Sequence, residues 1–288
     1  MLEIFEVKTH KQIRDFLNLP LKMYKNSAPF VPPLYSDEKK MFKPNYMYYD
    51  QSEAKCWVAY KDGKCVGRIQ AILQRASNKK WNQKRVRFTR VDFIDDEEVS
   101  KALFEKVEEY ALEKDMDEVC GPLGFSDLER EGLLIEGFEH TNTFEEQFNF
   151  PYYQKHIENL GYKKDVDWIE HRLFYNEEKA AKVLRLSDAI LAKGKLRVVP
   201  KMSLKKFAKL YEDQFFDLLD KTYDSLYGTV PFTQGMKDLL IKNFAPIINM
   251  DYVKAVINED TTLKSKVEFE DRTLTVTKIE KAKGELLR

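Results

Sequence analysis

The sequence predicts an α/β (α+β) fold, a mixed and mostly antiparallel sheet flanked by helices, with a second and shorter unit behind it. Three observations carry this. Trp57 to Tyr60 and Cys65 to Leu73 alternate on either side of Asp62-Gly63, the pattern of a tight antiparallel hairpin. Val99, Ala102, Leu103, Val107, Tyr110 and Ala111 recur at helical spacing behind Asp95-Asp96-Glu97-Glu98, acids that suit the positive end of a helix dipole. An order of strand, helix, helix, strand then returns in abbreviated form after Leu196, although no repeat is visible by residue identity.

Taken from the start, Leu2 to Val7 alternates as a strand and Lys11 to Lys25 reads as a helix. Pro29, Pro32 and Pro33 break periodicity, leaving a loop that ends in a short helix over Tyr35 to Phe42. In the hairpin, Ile69, Ala71 and Leu73 share one face and Arg68, Gln70 and Gln74 the other. The basic run Asn78 to Arg85 reads as a loop into the strand Val86 to Ile94. There the apolar parity slips by one, from Val86 and Phe88 to Val91 and Phe93. Either a β-bulge at Thr89-Arg90 inserts one residue, or the strand is buried on both faces. After the helix over 97–114 come a short inner strand at Glu118 to Gly121 and a Gly-rich turn region to Phe138. A helix that Pro151 starts and Gly161 stops leads to a last strand, Lys163 to Tyr175. The first domain is thus 1–176 and a helical connector follows over 177–195. The shortened second domain, 196–288, holds a strand at Leu196 to Met202 and a helix capped by Ser203 and stopped at Gly228. A helix over Thr233 to Asn243, a strand over Tyr252 to Asn258 and a tail from Thr261 complete it. Too few strands remain for a whole second sheet, so an open edge makes a homodimer an expectation.

Composition narrows the function classes. The chain has 288 residues, 43% of them apolar, enough for one or two close-packed cores. Its 48 Lys and Arg cancel 48 Asp and Glu, which leaves no net charge to draw in nucleic acid. No apolar run reaches the ~18 residues of a membrane span and MLEIFEVKTHK has no signal-peptide architecture, so the expectation is a cytoplasmic protein without a membrane partner. Three Cys without a C-x-x-C pair, and four His never spaced i, i+4, predict neither disulfides nor a metal site.

Several motifs occur together: Pro29-Phe30-Val31-Pro32-Pro33-Leu34 with Asp37, Val66-Gly67-Arg68-Ile69 with Ala71, Gly121-Pro122 with Phe125-Ser126, Gly132-Leu133-Leu134, Gly137-Phe138-Glu139, and Pro151-Tyr152-Tyr153 with Gly161-Tyr162. In this combination the chain, from Met1 to about Asp260, resembles bacterial GNAT-like proteins of the N-acetyltransferase superfamily that carry two GNAT-related halves. The resemblance implies an acyltransferase taking acetyl-CoA or another acyl-CoA in an opening between the fourth and fifth strands, and a small-molecule amine as acceptor. It implies donor contacts at Val91, Asp92, Phe93 and Ile94, at Val99 of the next helix, and at Ser126. Under that reading Tyr153 or Tyr152 would protonate the leaving group, and the charged loop Ser126, Asp127, Glu129, Arg130 and Glu131 offers Glu129 or Asp127 as general base.

Two departures stand against it. The superfamily's Gly-rich phosphate-binding turn is replaced by Asp95-Asp96-Glu97-Glu98, whose charges oppose a diphosphate. Ile157 stands four residues before Gly161, where many relatives of the superfamily keep a Tyr. The alternative is therefore a non-catalytic ligand-binding or assembly module on the same scaffold. A third reading, transfer from an aminoacyl-tRNA, fits poorly with zero net charge.

Overall fold

The computed structural model describes residues 1–171 and 174–258. They form two compact units, the first built from Met1–Ile169 together with the returning segment Tyr227–Val230. Its sheet holds β1 (Leu2–Glu6), β2 (Ser52–Lys61), β3 (Lys64–Gln74), β4 (Arg85–Phe93) and β5 (Glu118–Cys120) in that spatial order. The first four run antiparallel and β5 lies parallel to β4, so the mixed, mostly antiparallel sheet expected from the sequence is the one observed.

Local chemistry accounts for each element. Asp62 and Gly63 both take positive φ, +52° and +76°, as a two-residue turn between right-twisted strands requires. Helix α1 (His10–Met23) begins in a reciprocal capping box between Thr9 and Gln12. Helix α2 (Tyr35–Glu38) and two 3-10 turns, Lys39–Phe42 and Met47–Asp50, cover the proline-rich stretch that follows α1. Helix α4 (Glu97–Glu113) seats Val99, Leu103, Phe104 and Val107 on the sheet, and Gly67 of β3 lets it approach: a Cβ there would stand 2.7 Å from Leu103 Cδ1.

The parity slip in β4 is a bulge. Arg68 pairs with Asp92 and Gln70 with Thr89, so Arg90 and Val91 together face one residue of β3, and Arg90 sits at φ +45°. Val86 and Phe88 before the bulge, and Val91 and Phe93 after it, therefore all reach the core under α4.

Three sequence expectations change. Asn78 to Arg85 is not all loop, because α3 (Arg75–Trp81) occupies its first half, capped by the Gln74 side chain. β5 is an edge strand, not an inner one, since the helical α5 (Tyr152–Asn159) and not a further strand follows it. The strand expected at Lys163 to Tyr175 is irregular wherever it is described, its side chains largely exposed without a partner strand to bury them. Both faces of the hairpin are buried, the one bearing Arg68, Gln70 and Gln74 included.

The second unit comprises α6 (Glu177–Lys193), β6 (Leu196–Val198), α7 (Leu204–Tyr223), α8 (Gln234–Phe244) and β7 (Val256–Asn258). β6 and β7 pair antiparallel, with Tyr211 and Leu218 of α7 packed against Val199, Ala255 and Ile257. The strands expected at 196–202 and 252–258 are thus only three residues long, and the tail expected from Thr261 lies outside the described residues.

Candidate functional site

The second face of the sheet carries the candidate chemistry. Arg68, Gln70, Gln74, Arg87, Thr89, Arg90 and Asp92 are all buried on β3 and β4, an unusual density of polar groups out of water. They are held because they bond one another. Arg68 Nε donates to Asp92 Oδ2 at 2.6 Å, and its Nη1 to the Phe16 carbonyl at 3.0 Å. Arg90, turned inward by the bulge, donates to both oxygens of Glu38, at 2.9 and 3.0 Å, and to Glu129 at 3.2 Å. Burial alone would push the Glu38 carboxyl up, but the guanidiniums of Arg90, Arg130 and Arg68 bring it down to about 2.

β4 and β5 pair only over Arg85–Arg87 and Glu118–Cys120 and then part, with Leu123 N–H still bonded to the Phe88 carbonyl at 2.8 Å. Beyond that bond a wedge opens beside Phe93. The first turn of α5 occupies it: Phe93 N–H donates to Tyr153 Oη at 3.0 Å, and Tyr152 Oη donates to the Phe93 carbonyl at 2.6 Å. Tyr153 Oη is 2.8 Å from Tyr24 Oη, which donates to Asp92 Oδ1 at 2.7 Å. Each phenol has a single hydrogen, so with Tyr24's spent on Asp92 the bond between the phenols is donated by Tyr153. The result is a chain from Phe93 N–H through Tyr153 and Tyr24 to Asp92 and Arg68. Burial first, and then the Asp92 charge, push both phenols well above their ordinary value.

Asp92 also lines a recess with Tyr24, Phe30, Arg90, Glu129 and Arg130, a space of about 20 Å³ with room for roughly one water. Of the residues expected at a site, Tyr152 and Tyr153 stand at the wedge, and Asp92 and Glu129 at the recess. Glu129 Oε2 also accepts from Phe125 N–H at 2.8 Å, bracing its own loop. Val91, Phe93 and Val99 send their side chains into the core, Ile94 packs partly buried at its margin, and only the backbone of Phe93 faces the wedge. Ser126 is buried, 3.0 Å from Tyr48 Oη. Sequence reasoning missed Tyr24, Glu38, Arg68, Arg90 and Arg130. Arg68 and Arg90 had one signal, the alternation of charge and amide along β3 and β4, which looks the same as a solvated face; Tyr24, Glu38 and Arg130 lie outside those strands and had none of that kind.

His156 joins Ser100 Oγ through Nδ1 at 2.9 Å and Asp95 through Nε2 at 2.8 Å. Ser100 is only 1% exposed and also donates to the Glu97 carbonyl. The trio ties α5 to the start of α4 and so fixes the turn bearing Tyr152 and Tyr153.

Coenzyme A in this scaffold would set its diphosphate on the N-terminus of α4, and the residues there do not fit it. Asp96 caps the helix itself, accepting from Glu98 N–H at 3.0 Å, and Lys61 Nζ is spent on Asp96 at 2.6 Å and Glu98 at 3.1 Å. Among the described residues, no group of three or more His, Cys, Asp or Glu is placed to hold a metal, and no helix is long and apolar enough to cross a membrane.

The strand order, the bulged β4 and the parting of β4 from β5 make a mixed, mostly antiparallel α/β scaffold of the kind the resemblance to GNAT-like proteins implies. No protein-family profile matches the chain. It is 27% identical over 225 residues to Protein YghO of Escherichia coli (strain K12), spanning 77% of this chain and 56% of that protein. It is 20% identical over 256 residues to the bacterial ceramide synthase of Caulobacter vibrioides (strain NA1000 / CB15N), spanning 88% of this chain and 65% of that protein. The chain thus covers less than two thirds of the length of both. Similar solved structures include a tandem GNAT protein from the clavulanic acid biosynthesis pathway, at 12% identity and a TM-score of 0.45 over 90% of this chain and 71% of that one. Another is an aminoglycoside acetyltransferase from an uncultured soil metagenomic sample, at 12% identity and a TM-score of 0.38 over 60% and 97%.

Proposed function

We propose that this chain is an N-acyltransferase that joins an activated acyl group to an amine. The observation that carries this reading is the hydrogen-bonded chain Tyr153–Tyr24–Asp92, which links a wedge able to hold a carbonyl at Phe93 N–H with a recess able to hold an amine at Asp92. As the amine nitrogen bonds to the carbonyl carbon, its proton passes to Asp92; the bond to the leaving group breaks, and that group takes a proton from Tyr153. Reorientation of the two phenols returns the Asp92 proton through Tyr24 to Tyr153, so the proton count closes. Tyr152 holds the Phe93 carbonyl away from the reacting centre, and Glu129 is a second carboxylate at the recess. Similarity to a ceramide synthase supports amide formation as the reaction class, since a ceramide is an N-acylated amino alcohol.

The donor's acyl end enters at Phe93 by displacing the Tyr153 hydroxyl from that amide. Its other end is anchored away from the acidic start of α4. The same occupied amide and self-capped helix favour a second reading, a GNAT scaffold that binds a metabolite or partner without catalysis. Incubation with acetyl and longer acyl thioesters of coenzyme A and of N-acetylcysteamine, and a panel of amines, separates the two. Amide product by mass spectrometry above the protein-free rate supports transfer. Ligand binding without product, across both thioester series, leaves the non-catalytic module standing.

A further inference from the structure

We infer that Pro20 is a positioning residue for Asp92: the amide hydrogen it lacks leaves the Phe16 carbonyl to Arg68, and Arg68 so anchored holds the carboxylate. That the carboxylate is the base of acyl transfer rests on the acyltransferase reading; the positioning does not.

Helix α1 runs from His10 to Met23, and Pro20 lies in its interior, well beyond the first turn where proline is tolerated. In an α-helix the carbonyl of residue 16 accepts from the N–H of residue 20. Proline has no such hydrogen, and its ring crowds that carbonyl and tilts it away from the helix axis. The Phe16 carbonyl therefore needs another donor, and Phe16 is fully buried, so water does not supply one. Arg68 does, through Nη1 at 3.0 Å, with its guanidinium carbon 4.9 Å from the centre of the Phe16 ring.

The same guanidinium reaches Asp92 from a different nitrogen, Nε to Oδ2 at 2.6 Å. Two bonds from two nitrogens of one rigid plane fix its orientation, and with it that of the carboxylate. The other carboxylate oxygen is held from the same stretch of α1. Tyr24 N–H donates to the Pro20 carbonyl at 2.9 Å, closing the helix, and Tyr24 Oη donates to Asp92 Oδ1 at 2.7 Å. Both oxygens of Asp92 are thus set from Phe16 and Tyr24, with Pro20 midway between them and itself at the border of the recess. An ordinary residue at this position takes the carbonyl back: Pro20→Ala supplies an N–H to Phe16, leaves Arg68 Nη1 unpaired inside the protein and lets the guanidinium turn on Asp92.

A double-mutant cycle on the full chain tests this by Tm. In the parent, the bond that Pro20→Ala gives the helix is offset by the bond that Arg68 loses. In the Arg68→Met, Asp92→Leu background the Arg68 donor is gone and the gain stands alone, so there Pro20→Ala shifts Tm upward by at least about 4 °C more than it does in the parent. Packing lost with the smaller side chain is common to both and cancels. Equal shifts in the two backgrounds overturn the inference. A second readout needs only Pro20→Ala: the Arg68 Nε–H resonance in nitrogen-15 spectra, which exchanges with solvent at least about tenfold faster than in the parent. Leu19→Ala, one residue away and also buried, removes packing without adding a donor and leaves that exchange at the parental rate. An unchanged rate in Pro20→Ala, or the same acceleration in Leu19→Ala, overturns the inference. Where the parent forms amide product, Pro20→Ala lowers kcat about tenfold or more with the acceptor's KM little changed. A parent that forms no product refutes the acyltransferase reading and leaves the Tm cycle and the exchange rates to decide the positioning.

Discussion

Replacing Tyr153 with Phe removes one oxygen and nothing else, yet that oxygen joins the wedge to the recess. Two bonds go with it, the 3.0 Å bond from Phe93 N–H and the 2.8 Å bond to Tyr24. Tyr153 and Phe93 are fully buried, so the orphaned amide cannot turn to water. Leaving it unpaired costs about 1–3 kcal/mol and the lost phenol bond about 1 more, a sum of roughly 2–4 kcal/mol. For a unit of roughly 170 residues this lowers Tm by about 4–16 °C, read by calorimetry or circular dichroism. Tyr152→Phe is the control: it removes a bond from a partly exposed phenol to a carbonyl and costs about 1 kcal/mol. If transfer runs through the phenol chain, Tyr153→Phe also lowers the rate of amide formation about 100-fold at temperatures where it is folded, and Tyr152→Phe does not. A Tyr153→Phe protein that melts with its parent and transfers acyl groups at the parental rate would refute both the bonding account and the relay.

Asp92→Asn leaves the Arg68 guanidinium, 3% exposed, without its counter-charge and destabilises the fold by about 3–5 kcal/mol; the double variant Arg68→Met, Asp92→Leu recovers much of this in urea unfolding. Gly121→Ala places a Cβ 2.3 Å from the Phe88 carbonyl at φ +153°, and the loss, at least about 2 kcal/mol, shows as a lower unfolding midpoint or insoluble expression. Glu131 has a buried, unpartnered Oε1, and burial pushes its carboxyl from 4.5 up to about 7. Below pH 4.5 folded and unfolded chains both hold this proton; between 4.5 and about 7 only the folded chain does, so stability falls by about 3 kcal/mol as pH rises through that window. Glu131→Gln flattens that slope, and a parent whose stability is level from pH 5 to 7.5 would contradict the assignment.

Much of the scaffold was legible because its signals are local. Asp62-Gly63 announces its turn through the only backbone shape that joins such strands, and the parity slip at Thr89-Arg90 is the trace an inserted residue must leave. Tyr152 and Tyr153 could be singled out from their place at the start of a helix, and Glu129 from its charged loop. Tyr24 and Arg68 could not. Their partner Asp92 lies 68 and 24 residues away, and an alternating strand gives no hint whether its polar face meets water or another layer. Here α1 and the segment after it cover that face, and once it is covered the charges survive only as pairs. The described residues between Lys163 and Tyr175 show the converse, alternation without a neighbouring strand to bond.

The segment Tyr227–Val230 has a consequence for synthesis. Arg87 donates to the Gly228 carbonyl at 2.8 Å, Lys80 to Thr229 Oγ1 at 2.9 Å and Arg85 to Tyr227 Oη at 3.2 Å, so the flank formed by α3 and the start of β4 is sealed by residues made long after it. While ~60 further residues leave the ribosome, several seconds at ordinary elongation rates, the buried cation Arg87 waits without one of its carbonyl partners. The nascent first unit is therefore exposed to chaperones and proteases in a way that its finished form is not, and a stall in translation between residues 170 and 226 leaves it open on that flank.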